Sequence, residues 1–253
     1  MDTLDKNKQA LSLIEAITPV SQTFAQSNEM TEAAYHLTRD QKRILFLVVG
    51  RIRSAEKEGD KTVGLCEFTV SEYATMYNLP SAQASKDIRN ALANFVIKEV
   101  CIFRPDWDDA AEKGYETFPW MIKKAHSPRR GSYVVHLNPY LMPFFTSLER
   151  RFTNLKIKDI ASITSPYAIR LYESLCQYKN AEGDGCAVLA VDWMIERYGL
   201  PKSYRAIGEF KRSFLHKAII EIQNSTNMSI SYKEKRAGGR ITHLAFYYRQ
   251  NER

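Results

Sequence analysis

Long apolar runs are missing from this 253-residue sequence. None approaches the roughly 18 residues that a membrane-spanning helix needs, and the N-terminus lacks the apolar core of a signal peptide. Cysteine is scarce. Cys66, Cys101, Cys176 and Cys186 are the only four; none forms a C-x-x-C pair and each stands in an apolar stretch. Buried free thiols in a reduced, cytoplasmic protein are therefore expected. Catalytic signatures are also absent. There is no G-x-x-x-x-G-K-[ST] to cradle phosphates and no H-E-x-x-H to hold zinc. His36, His126, His136, His216 and His243 are scattered. They include no His-hydrophobe-His pair of the kind that a metal-dependent DNA-nicking initiator with a tyrosine nucleophile uses. Asp106, Asp108, Asp109 and Glu112 lack the spacing of a calcium loop and read as a solvated acidic stretch. No catalytic residue, metal or cofactor is expected, and an enzyme is not.

What the chain does have is an ordinary globular composition, 44% apolar and 26% charged, at a length that suits one large or two small domains. Its net charge of +7 is unevenly placed. From Arg151 onward there are 17 Lys and Arg against 10 Asp and Glu, whereas the first 150 residues hold 19 of each. Any binding to a polyanion should lean on the C-terminal two-fifths.

The most informative feature is an internal repeat. Leu65-Cys-Glu-Phe-Thr-Val-Ser-Glu-Tyr-Ala-Thr-Met-Tyr-Asn-Leu-Pro80 aligns with Cys186-Ala-Val-Leu-Ala-Val-Asp-Trp-Met-Ile-Glu-Arg-Tyr-Gly-Leu-Pro201 at a constant offset of 121 residues from Val70/Val191 to Pro80/Pro201. Ser71 and Asp192 would cap the helix. Asn78 and Gly199 suit the left-handed residue that ends it, and Pro80 and Pro201 admit the next helix at a new angle. That next helix would bury Ile88, Leu92 and Val96 in the first copy. In the second it would bury Phe210, Phe214 and Ala218, with one residue inserted. A helix precedes each copy. In the first, Thr38 and Gln41 form a capping box ahead of Ile44, Leu45, Val48, Val49 and Ile52 at helical spacing. A β-hairpin follows each copy. In the second, Met228–Lys233 and Ile241–Tyr247 alternate as strands around Gly238-Gly239. In the first, 100–104 and 132–137 are the predicted strands, with additional strand between 115 and 121. Each copy thus reads as a helix-turn-helix with a trailing wing.

The fold class expected is α+β, with two tandem pseudo-symmetric winged-helix domains. The boundaries expected are a tail at 1–27, which includes two helical turns at 10–17, then domains at 28–145 and 146–253. Residues 139–151 join the domains, stiffened by Pro139 and Pro143.

A helix that reads base edges in a major groove must expose hydrogen-bonding and basic groups. In the C-terminal copy these are Lys202, Ser203, Tyr204, Arg205, Glu209, Lys211, Arg212 and His216. Arg205 or Arg212 suits a guanine, and Glu209 a cytosine amine. Lys233, Lys235, Arg236 and Arg240 on the wing suit flanking phosphates. The N-terminal copy offers Ser81, Gln83, Ser85, Lys86, Arg89 and Asn90 on a less basic face, where a supporting role is as well founded as base reading. The stretch 126–131 is a second basic loop. The partner implied is sequence-specific double-stranded DNA. Three alternatives differ in observable ways: a nicking initiator, a winged-helix transcription regulator without a replication role, and a winged-helix protein-interaction scaffold.

Several stretches resemble the iteron-binding family of plasmid replication initiators: Leu-Thr-Arg-Asp-Gln-Lys-Arg (37–43), Ser-Ala-Gln-Ala-Ser-Lys-Asp-Ile-Arg (81–89), Glu-Lys-Gly-Tyr-Glu-Thr-Phe-Pro-Trp (112–120), Ala-His-Ser-Pro (125–128), Asn-Pro-Tyr-Leu (138–141) and Pro-Tyr-Ala-Ile-Arg-Leu-Tyr-Glu-Ser-Leu-Cys-Gln-Tyr (166–178). The resemblance spans about 28–248. It implies two winged-helix domains and a non-enzymatic initiator that binds directly repeated iterons as a monomer. As a dimer, joined through its N-terminal domain, such an initiator binds an inverted-repeat operator and represses its own gene. Host initiator, replicative helicase and chaperones are the further partners implied. Carried over by position, the reading residues are Arg205, Glu209, Lys211 and Arg212, with Lys86 and Arg89 in the first copy. Ser213 interrupts the family's basic run, which implies a different iteron sequence. The N-terminal tail holds only Lys6 and Lys8, fewer bases than the family pattern.

Overall fold

The computed structural model describes residues 23–57, 64–146, 148, 151–180 and 182–251, without the side chains of 54–57. The chain builds one unit twice. The first runs β1 (Thr23–Ser27), α1 (Asn28–Glu32), α2 (Arg39–Lys57), β2 (Leu65–Thr69), α3 (Val70–Tyr77), α4 (Ser81–Phe95), β3 (Glu99–Phe103), β4 (Tyr115–Pro119), β5 (Met121–Ser127) and β6 (Ser132–Leu137). A 3-10 stretch, Pro139–Phe144, leads out of it and buries Leu141, Met142 and Phe144. The second runs β7 (Phe152–Lys156), α5 (Ile157–Ser162), α6 (Pro166–Gln177), β8 (Gly185–Ala190) and α7 (Val191–Arg197). A 3-10 turn follows at Lys202–Arg205. Then come three consecutive helical segments, Ile207–Glu209, Phe210–Leu215 and His216–Ser225, which together we call α8, and β9 (Met228–Ala237) with β10 (Arg240–Gln250).

Sheet order gives the correspondence between the units. The first has β2-β6-β5 and the second β8-β10-β9, so β2, α3, α4, β5 and β6 match β8, α7, α8, β9 and β10. The wing of the first unit is therefore the β5–β6 hairpin. The sequence pattern predicts 100–104 and 132–137 as the strands of that hairpin. Instead β3 pairs with β4 in a separate two-stranded sheet inserted ahead of the wing. β5 gave no strand signal because all of its residues from Ile122 to His126 are exposed, and alternation needs one buried face.

The duplication also extends further towards the N-terminus than the repeat revealed. β1, α1 and α2 match β7, α5 and α6 in order, and β1 and β7 pair antiparallel with Ala25 opposite Asn154. That is the pairing a local two-fold axis requires. β1 lies within the stretch expected to be tail; Phe24, Ala25 and Gln26 are buried. The predicted turns at 10–17 lie outside the described residues.

Across the same axis each unit sends an arginine into the other. Arg43 of α2 donates from Nη2 to the Ala161 carbonyl at the end of α5 (2.7 Å). Arg170 of α6 donates from Nη2 to the Ala33 carbonyl that closes α1 (2.7 Å). Helix C-termini carry unpaired carbonyls and partial negative charge, which favour a cation. A tyrosine from the repeat backs each arginine: Arg43 lies 5.0 Å from the Tyr77 ring centre and Arg170 5.4 Å from that of Tyr198.

Around Arg170 the interface becomes a buried polar cluster. Glu173 accepts from Lys42 Nζ (2.5 Å) and from Arg170 Nη1 (2.9 Å), and Tyr35 Oη accepts from Lys42 Nζ (2.6 Å). The Lys42, Arg170 and Glu173 side chains are at most 3% exposed. Apolar packing is continuous through both units. α2 lies at its centre, so Phe46 and Leu47 are buried along with the five apolar residues at helical spacing.

Local signals explain the helix starts with one correction. Thr38 and Gln41 close the expected box: Gln41 Oε1 accepts from Thr38 N (2.9 Å) and Thr38 Oγ1 from Gln41 N (3.2 Å). The cap of α3 is Thr69 rather than Ser71, because Thr69 completes a box with Glu72 and Ser71 already lies in the first turn. Asp192 is likewise a first-turn acid, and Ala190 precedes α7 without a side-chain cap. The four thiols are free, but Cys186 is exposed and Cys101 only half-buried. Alternation on β8 turns Cys186 and Val188 outward, so a cysteine among apolar neighbours need not share their burial.

Candidate nucleic-acid interface

In both units the turn between the paired helices has the same construction. Asn78 (φ 49°) and Gly199 (φ 62°) adopt the left-handed conformation. Leu79 N then donates to the Ala74 carbonyl (2.9 Å) and Leu200 N to the Ile195 carbonyl (3.0 Å), closing each helix end. Pro80 and Pro201 follow in extended conformation, and the chain leaves at a new angle.

From there the units diverge. After Pro80, α4 starts at once. After Pro201 comes the 3-10 turn, then extended Ala206, then α8. Arg205 therefore sits exposed in the approach turn and not on the helix proper. The middle of α8, Phe210–Leu215, is π-helical: His216 N donates to the Lys211 carbonyl, five residues back. A π-turn holds one additional residue per turn. Its effect shows in the buried faces. Ile88 of α4 corresponds to Phe210 at an offset of 122, one more than the 121 of the turn before; past the π-turn Ala91, Leu92 and Phe95 correspond to Phe214, Leu215 and Ala218 at 123, and Phe95 rather than the half-buried Val96 completes the buried face of α4.

The exposed side of α8 is an ordered set of ion pairs and hydrogen bonds. Glu209 is bonded by both Arg212 and Ser213. The Ser213 hydroxyl and then the Arg212 guanidinium hold its carboxyl below the usual range. Arg212 is 78% exposed at its side chain despite that pair. Lys211 reaches the wing, where its Nζ donates to Glu234 Oε1 (2.6 Å). His216 Nε2 lies 3.0 Å from Tyr232 Oη, a second helix-to-wing link.

The wing divides the expected phosphate contacts between its faces. Tyr232 and Glu234 point to α8. Lys233 and Lys235 alternate onto the opposite face, with Lys233 Nζ 5.8 Å from the Tyr247 ring centre. Arg236 donates to Glu234 Oε2 (2.9 Å). Arg240 is exposed beside the tip, where Gly238 and Gly239 have positive φ. In the first unit Ser81, Lys86 and Arg89 are exposed on α4 and Ser85 is half-buried. Gln83 turns to the buried Asp87 (2.5 Å). The 126–131 stretch forms the tip of that unit's wing: Arg129 and Arg130 are exposed, and His126 stacks on Tyr133 at 4.3 Å. Sequence reasoning missed Glu234 and Tyr232, whose partners on α8 lie 16 to 23 residues away, and no local pattern marks them. Among the described residues no helix is long and apolar enough to cross a membrane.

Two helix-turn-helix units, each followed by a β-hairpin, define a tandem winged-helix protein. Comparison with known proteins places it more closely. Residues 23–176 match the family described as initiator replication protein, WH1, and residues 190–248 match initiator Rep protein, WH2. The chain belongs to this replication initiator family, Rep3. It is 31% identical over 218 residues to an uncharacterized 27.6 kDa protein of Escherichia coli, covering 82% of this chain and 87% of that one. Its fold is similar to that of the Pi initiator protein, solved in complex with iteron DNA. The TM-score is 0.74 at 18% identity, over 93% of this chain and all of that one. The first family match begins at the first residue of β1 and continues through α6, across the junction expected at 145/146.

Proposed function

We propose that this initiator binds specific duplex DNA at a plasmid origin, as a monomer on directly repeated iterons. As a dimer joined through its N-terminal domain it represses its own gene at an inverted-repeat operator. The observation that carries this reading is the C-terminal helix-turn-helix with its wing. Arg205, Arg212, Lys233, Lys235, Arg236 and Arg240 are all exposed there, in the C-terminal two-fifths of the chain that holds the whole charge surplus. Arg212 and Arg205 read bases; Lys211, His216 and the wing cations meet the backbone; Glu209 orients Arg212. Ser81, Ser85, Lys86 and Arg89 on α4 support the complex from a second segment of groove. A relative of the same fold solved with iteron DNA supports the reading. The protein acts in the cytoplasm without cutting DNA, and works with host initiator, replicative helicase and chaperones.

Successive major grooves on one face lie ~34 Å apart, so two reading helices should protect about 20 base pairs. Hydroxyl-radical footprinting on the origin of its plasmid tests this. Protection of one short groove segment would refute bivalent docking. Gel shifts should give monomer complexes on direct repeats and dimer complexes on inverted ones; one stoichiometry on both would refute the division of labour. Nicking of supercoiled origin DNA by the purified protein would refute the non-enzymatic reading.

A further inference from the structure

Glu234 stands on β9, on the face turned to α8, with 23% of its side chain exposed. Its two oxygens serve different elements. Oε1 accepts from Lys211 Nζ of α8 at 2.6 Å and Oε2 from Arg236 Nη2 near the wing tip at 2.9 Å. One carboxylate thus occupies two of the cations that the DNA-binding reading assigns to phosphates, and it adds a negative charge where a polyanion would dock. An acid there lowers affinity for any duplex, sequence regardless. Glu209 treats Arg212 and Ser213 in the same way on the helix itself, so the basic surface is held in check by acids within it.

We infer that Glu234 is a specificity-determining residue: it holds Lys211 of α8 and Arg236 of its own strand on one carboxylate until α8 is fully seated in its groove. Loose, sequence-independent complexes then lack these two phosphate contacts, whereas the seated complex has the base contacts needed to exchange them. Specificity is a difference between affinities, and lowering the wrong one raises it as surely as raising the right one. The inference rests on the DNA-binding reading of this face.

Two duplexes test it. One is recovered by the wild-type chain from a random-sequence pool; the other is its scramble. E234Q is compared with wild type and with E112Q, which removes the same charge from the acidic loop. Binding is measured from 50 to 200 mM salt. Each freed phosphate contact steepens the salt dependence by roughly 0.9. E234Q should therefore bind the scramble several-fold to about ten-fold more tightly at 50 mM, with a slope steeper by about one to two. Affinity for the selected duplex should change by less than about two-fold, so the specificity ratio falls. In a K211Q background at least half of the gain should disappear.

An equal gain on both duplexes, an equal gain from E112Q, or a gain unchanged by K211Q would overturn the assignment. So would weaker binding to the selected duplex with the scramble unaffected, the mark of a residue that merely positions the wing. A pool that yields no consensus would instead refute sequence-specific binding. The slope on a random duplex would still report whether Glu234 occupies Lys211.

Discussion

Replacing Glu173 with Gln should destabilise the protein far more than replacing Lys42 with Met. The reason is a count of buried charge. Lys42 and Arg170 are cations, Glu173 is the anion between them, and all three are at most 3% exposed. Tyr35 adds no charge, since burial holds its phenol far above the usual range. Glu173→Gln leaves two buried cations facing each other with no anion between them. Removing one partner of a buried ion pair costs about 3–5 kcal/mol, and for a chain of this size each kcal/mol lowers Tm by about 2–4 °C. A fall of roughly 6–20 °C is expected. Lys42→Met removes the surplus cation and leaves Arg170 paired with Glu173 in a neutral set, with an apolar side chain of similar volume in place. Its cost should stay below about 1.5 kcal/mol.

The pH dependence provides an internal check. Burial lowers the Lys42 pKa from 10.5 to about 8, against the pull of Glu173. Between these values the unfolded chain binds more protons than the folded one, so stability due to Lys42 rises with pH from about 8 to 10.5. Urea unfolding across that window should show wild type gaining on K42M. Equal losses in E173Q and K42M, or parallel pH profiles for wild type and K42M, would refute the charge count.

Three further outcomes are expected. Lys235→Ala should weaken binding to all duplexes alike and flatten the salt slope by about one, whereas Arg212→Ala should cost about 1–3 kcal/mol and relax preference at one base position; identical behaviour of the two would contradict their different roles. Gly199→Ala should cost about 1–2 kcal/mol in chemical unfolding, because φ is +62° and the new Cβ would lie 3.2 Å from His36 Cβ; Gly131→Ala, equally left-handed with nothing within 4 Å, should cost less. Thiol reagents at pH 8 should label exposed Cys186 first and Cys66 and Cys176 last, since burial raises both of the latter to about 11; uniform labelling in the native state would contradict the burial described.

The repeat was legible because its signals are local. A left-handed residue, a Leu-Pro and two apolar faces can each be read within a few residues, and Asn78 and Gly199 stand where those signals put them. What the sequence hid depends on distant partners. β1 is short and half polar, and its mate lies about 130 residues away. The first wing leaves no strand signal in its leading half because β5 shows no alternation. Glu173 belongs to a stretch that resembles the initiator family, yet nothing local separates a charge buried beside Lys42 from one in water. Of the two residues by which the second recognition helix outruns the first, one was legible in the apolar spacing. Its π-turn was not, because hydrogen-bond register leaves no compositional trace.

The strand pair formed by β1 and β7 fixes more than the chain's symmetry. With Arg43 and Arg170 each clasping the opposite unit, the angle between α4 and α8 is set by a continuous buried interior and not by a tether. A duplex meeting both helices would thus be measured against a fixed gauge. One inserted base pair turns the far groove by about 35°, as 10–10.5 pairs make a turn. Such an insertion should cost the second helix its whole footing, and adding an entire turn would restore the phase but move that groove beyond reach.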